Sequence, residues 1–154
     1  MSGRSPMRTF DPMSHRVPGW GRIGLVLLAA GQLFVGLWAV FATRSWFDDF
    51  PGLGPRLVAA DPPYNAHLAA DAGAGFLAAG VALLAAGLWA ERSAVLVALL
   101  AYLAQALPHL AFHLTHPPDA LTGGEQLVNL ALLGSGVGIA LVLGWGARKP
   151  TPAS

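Results

Sequence analysis

Cysteine is absent from the 154-residue sequence, which excludes disulfides, thiolate metal sites and a cysteine nucleophile and leaves any metal to nitrogen and oxygen ligands. Charge is scarce: 11% of residues are Asp, Glu, Lys or Arg against 55% hydrophobic, where a soluble domain carries roughly a quarter charged. The nine basic and eight acidic side chains are scattered along the chain, so there is no basic patch to follow a phosphate backbone, and nucleic acid is excluded as a partner. No nucleotide-binding glycine loop, H-E-x-x-H pair or Ser-His-Asp order occurs either.

What the chain has instead is long apolar runs. Crossing the hydrocarbon core takes about 20 apolar residues as a helix, because an unsatisfied backbone group in lipid costs several kcal/mol. Four segments meet that length, at about 23–43, 66–90, 93–115 and 126–147, and Asp71 is the one charged residue within them. The expected fold is all-α, a membrane-embedded four-helix bundle over 23–147 in the lipid bilayer. Trp20, Trp38, Trp46, Tyr64, Trp89 and Trp145 fall near the helix ends, where amphipathic rings settle at the headgroups. The first run is longer than the apolar core of a signal peptide, which marks it as an anchor despite small residues around Val40-Phe41-Ala42.

Basic residues set the orientation. Arg4, Arg8, Arg16, Arg22, Arg92, Arg148 and Lys149 flank one side of the bundle, and Arg44 and Arg56 the other. The positive-inside rule then predicts a multi-pass plasma-membrane protein with both termini cytoplasmic and the first and third connections outside. Residues 1–22, rich in Ser, Pro and Arg, read as a disordered tail, and 148–154 as a short cytoplasmic one. The Glu91-Arg92 connection is a tight turn, so the second and third helices form an antiparallel hairpin. The outer loop carrying Trp46, Asp48 and Asp49 reads either as a short amphipathic piece along the interface or, more simply, as a loop anchored by its aromatics. Gly134 and Gly138 in G-x-x-x-G spacing, with the Ala and Gly of the second helix, suit close packing in a compact bundle, a homo-oligomer or a larger membrane complex.

Polar residues inside the spans are few and patterned. Tyr102, Gln105, His109, His113 and His116 follow spacings of 3, 4, 4 and 3, which confines them to a helical arc of about 80°. Pro108 removes a hydrogen bond within that helix and predicts a kink. Tyr64, His67 and Asp71 form a matching stripe on the second helix, and counting through the tight turn puts Asp71 level with His109 and His113, and His67 level with His116. The fourth helix brings Glu125 and Asn129 to the same end, although Thr122 and Glu125 also fit a capping box and Asn65 an N-cap. Lipid satisfies none of these groups, so the reading is an outer-leaflet His/Asp pocket. The other half of the bundle offers little beyond Gln32, Gln105 and Tyr102.

The motifs Ser45-Trp46-Phe47-Asp48-Asp49-Phe50-Pro51-Gly52, Pro62-Pro63-Tyr64-Asn65-x-His67-Leu68-x-x-Asp71 and Pro108-His109-Leu110-x-x-His113-x-x-His116 resemble a group of small four-helix membrane proteins common in actinobacteria. That group often has an acid after the Asn, where this chain has Ala66. The chain is also loosely similar in fold to DoxX-like four-helix proteins. The resemblance implies the bundle and draws attention to the pocket, and it carries no activity with it.

The expected function is therefore an accessory or binding protein that holds a metal ion, haem or small ligand through His67, His109, His113 and His116, with Asp71 as ligand or orienter. The alternatives are a small transporter or proton relay using the same titratable groups, a purely structural polar cluster, and, least supported, an enzyme acting on a lipid or quinone.

Overall fold

A computed structural model describes residues 16–148. The chain forms five helices there, α1 (Gly19–Phe41), α2 (Thr43–Asp49), α3 (Ala66–Trp89), α4 (Arg92–Thr115) and α5 (Gly123–Arg148). All but α2 are long and apolar enough to cross a membrane, with mean hydropathies from 1.8 to 2.2. Their outer surfaces carry large apolar side chains such as Ile23, Leu27, Val97, Leu100 and Leu127, each more than 60% exposed. A water-soluble surface does not sustain such a coat; lipid does. The chain is a multi-pass membrane protein by this measure, an all-helical bundle as expected.

The helices alternate in direction, and α1 packs on α3, α3 on α4, α4 on α5 and α5 back on α1. The expected α3/α4 hairpin is present, its turn made by Ala90 in the left-handed region (φ 59°) and Glu91. The most intimate pairing is nevertheless α1 with α3, through glycines. A Cβ at Gly36 would lie 2.7 Å from the Leu77 nitrogen, and one at Gly73 2.9 Å from the Val40 nitrogen. Without a hydrophobic drive between helices in lipid, such close backbone approach supplies the packing energy. Gly134 and Gly138 do not take part, since a Cβ at either meets nothing within 4 Å.

α1 begins four residues before the expected boundary. Val17 is buried and donates its N–H to the Ala90 carbonyl at 2.9 Å, and the backbones of Arg16 and Glu91 pair as an isolated antiparallel bridge, so residues 16–22 belong to the bundle and not to a tail. Residues 1–15 and 149–154, where the tails were expected, lie outside the described residues. At this end Arg22 Nε donates to the Gly87 carbonyl at 3.2 Å and Arg92 Nε to the Ala147 carbonyl at 2.6 Å. Each cation caps carbonyls that a helix C-terminus leaves open.

The opposite end is built by α2, a true helix where an aromatic-anchored loop was the simpler expectation. Trp46 is buried against Ala39 and Ala69, and Phe50 and Trp38 pack beside it. The main core, including Leu25, Leu83, Val95, Leu99 and Tyr102, fills the arginine half of the bundle. Between the two clusters a hollow opens along α1 and α5, reaching the bundle's surface.

Candidate functional site

That hollow is where polar atoms collect. α4 runs unbroken through Pro108 and ends at Thr115, leaving its last carbonyls without helical partners. Gln126 of α5 takes one of them, its Nε2 donating to the His113 carbonyl at 2.9 Å, which ties the two helix ends together. One turn further along α5, Asn129 is 5% exposed, and its Nδ2 faces His113 Nδ1 at 3.4 Å. His113 Nε2 in turn lies 3.1 Å from His109 Nε2. With the amide donating, the proton of His113 sits on Nε2 and is shared with His109, whose own proton is then on Nδ1. The result is a short relay, Asn129 to His113 to His109.

The relay opens onto a cavity of about 550 Å³ between α1, α4 and α5, roofed by Trp46, Phe50 and Leu57, with Asp61 also on its wall. A second cavity of about 450 Å³ shares Gly31, Gln32, Phe76 and His109 with it and continues past Gln105 to Tyr102 and Ser135. Gln32 is common to both, and its buried Oε1 has no hydrogen-bond partner; the Trp46 indole nitrogen is likewise buried and unpartnered.

The expected five-residue His/Asp site does not assemble. His67 and Asp71 pair with each other at 3.3 Å, with side chains 81% and 63% exposed, on the outer face of α3. The residue α3 presents to His109 is Phe76, its ring centroid 6.1 Å away. Asp71 instead borders a separate groove between α3 and α4, with Gln105 on its far wall. His116 is exposed and stacked on Phe112 at 4.6 Å, with Nδ1 2.9 Å from the Thr115 hydroxyl. Among the described residues no three His, Asp or Glu side chains are placed to hold a metal ion. Counting along the chain sets depth alone. The azimuth failed, because α3 turns its glycine face to α1 and thereby swings Asp71 away from the interior.

The supporting residues divide in the same way. Asn129 joins the site, and Tyr102 and Gln105 line the deeper cavity. Glu125 is spent on capping α5, accepting at 2.8 Å from both the Thr122 N–H and its hydroxyl, as the capping box allows. Asn65 caps α3, accepting from His67 and Leu68. Tyr64 holds α2 down, bonded to Thr43 at 2.7 Å and packed on Phe47. Arg44 lies over the Tyr64 ring and donates to Asp48 at 2.6 Å, and that hydrogen bond holds its guanidinium above its usual pKa. Asp49 accepts from Ser45. Of Trp46, Asp48 and Asp49, Trp46 alone lines the cavity.

Gln126, Asp61 and Phe76 were not singled out from the sequence. Gln126 stands three residues before Asn129 and shares its helix face, which is a usable signal; Asp61 sits in a loop and has none. Because Asp71 pairs with His67 one turn away on the outer face of α3, Asp71→Asn should couple to His67 and not to the relay. A double-mutant cycle with His113→Ala in detergent should come out additive; coupling would restore the assembled site. Comparison with protein-family models, with curated proteins and with solved structures gives no match.

Proposed function

We propose that this is a small-ligand-binding protein of the plasma membrane, with both termini cytoplasmic and the α2 end outside, akin to the actinobacterial four-helix group its motifs resemble. The pocket then lies in the outer leaflet. The observation that carries the reading is the Asn129–His113–His109 relay on the wall of a cavity of about 550 Å³. A largely apolar pocket with a few convergent polar groups is what an orienting ligand site requires. Such a protein serves as an accessory to other membrane components, alone or as a homo-oligomer.

A metal or haem has less support than a hydrogen-bonded ligand. Two imidazoles with Nε2 atoms 3.1 Å apart make two adjacent ligands, whereas catalytic zinc sites use three protein ligands. The relay reading for proton transfer is favoured only as far as His109, since among the described residues Tyr102 is the one titratable side chain that lines the deeper cavity beyond it.

Native mass spectrometry of protein extracted in mild detergent tests the proposal. The wild type should carry a drug-sized organic adduct that a His109→Leu, His113→Leu variant lacks, with no stoichiometric metal in either. Stoichiometric metal lost from the variant would replace this reading with the metal one. Orientation is checked separately: a reporter after Ser154 should be active in the cytoplasm and one at Gly54 or Gly123 outside, because seven of nine basic residues flank the same ends. The reverse pattern would move the pocket to the inner leaflet.

A further inference from the structure

We infer that the occupant is a single-chain amphiphile with an uncharged hydroxyl head, its head at the histidine relay and its chain lying in the deeper cavity, and that it enters sideways from the membrane between α1 and α5. This rests on the reading above that the relay marks a ligand pocket.

Shape comes first. The two cavities share their walls at Gly31, Gln32 and His109, so they form one elongated cleft along the bundle. An elongated, mainly apolar cleft takes a chain. The side chains along its length include Leu27, Phe34, Leu132 and Ile139, which are 68%, 56%, 51% and 45% exposed and therefore face lipid as well as the cleft. Gly31 leaves the same side open, because a Cβ there would meet nothing within 4 Å. A molecule already dissolved in the bilayer can slide in without crossing an aqueous mouth.

The head follows from the polar atoms. Among the described residues no lysine or arginine lines either cavity, and Asp61 stands on the wall of the α2-side one, so a carboxylate, sulfate or phosphate head meets no counter-ion there and one repulsive neighbour. The buried Gln32 Oε1 needs a donor and the buried Trp46 N–H needs an acceptor. A hydroxyl is both, and it can also accept from the Nδ1–H that the relay leaves free on His109. A bare hydrocarbon chain would leave all of these groups unpaired, which is costly away from water.

The full chain in phosphatidylcholine vesicles is titrated with dibrominated octadecanol, whose bromines quench a nearby indole. Subtracting the Trp46→Phe protein isolates Trp46 from the other tryptophans. Saturable quenching of Trp46 is expected, relieved by hexadecanol but about tenfold less well by hexadecane, hexadecyl sulfate or hexadecyltrimethylammonium, tenfold corresponding to about 1.4 kcal/mol. Competition by hexadecane equal to that by hexadecanol, preference for either charged head, or no saturable quenching would overturn the inference. Gly31→Phe fills the junction without touching protein atoms at its Cβ, and Ile139→Trp narrows the deeper cavity from its rim; each should weaken binding about tenfold. If His109→Leu, His113→Leu binds as the wild type does while these two fail, the chain site stands and the histidine reading falls. If the histidine variant alone fails, the head pocket stands and the chain inference falls.

Discussion

Gly73→Val is expected to disrupt the bundle, at a cost above the roughly 1–3 kcal/mol usual for overpacking a core. The cause is backbone proximity. A Cβ at Gly73 would sit 2.9 Å from the Val40 nitrogen and 2.9 Å from the Ala39 Cβ, and neither has a rotamer through which to retreat. α1 and α3 would have to separate, and with them the contacts at Gly36 and Gly80, where a Cβ would come within 2.7 and 3.0 Å of the partner helix's backbone nitrogens. Gly73→Ala should already be clearly destabilised. Gly134→Ala is the control: nothing lies within 4 Å of its Cβ, so its stability should match or slightly exceed the wild type through helix propensity. Unfolding in mixed detergent micelles followed by circular dichroism reads all of them. An unaffected Gly73→Ala would mean that α1 and α3 are not in this contact.

The same glycines explain what the sequence could and could not reveal. Four runs of apolar residues at bilayer length are a one-dimensional property, so the spans were legible to within four residues at each end. The tight turn at Glu91 was equally legible, because two residues cannot do anything else between antiparallel helices. Which face of α3 points inward is a property of the pair. Counting along the chain aligns Asp71 with the histidines of α4, yet Gly73 and Gly80 face α1, Asp71 turns outward to His67, and Phe76 is the α3 residue beside His109. In α4 the stripe was correctly seen as polar, but it is divided by its ends: Tyr102 and Gln105 line the deeper cavity, His109 and His113 form the relay, and His116 passes beyond the last turn to stack on Phe112. Glu125 shows a second kind of limit. Its local option, the capping box with Thr122, is available before any tertiary partner arrives, and it prevails.

Trp46→Ala is expected to release α2 and the loop that follows while leaving the spanning helices folded. Trp46 is the one buried side chain of α2, and with Ala39 and Ala69 it forms the small core that holds the segment to the bundle. Truncating a buried tryptophan costs about 3–5 kcal/mol, and the polar contacts left to hold α2 are the Thr43–Tyr64 hydrogen bond, the exposed Trp38–Ser45 hydrogen bond and Arg44 over the Tyr64 ring. The main core around Leu25, Leu83 and Val95 lies in the other half of the bundle and loses nothing. Hydrogen exchange in micelles should therefore show residues 43–61 unprotected in Trp46→Ala, with α1, α3, α4 and α5 as slow as in the wild type. Trp46→Phe should do far less, since the indole N–H it deletes has no partner to lose. Exchange spreading into α3 or α5 would show that α2 is part of the bundle's cooperative unit, in which case the roof of the cavity could not open without unfolding its walls, and entry from the side between α1 and α5 would be the remaining route.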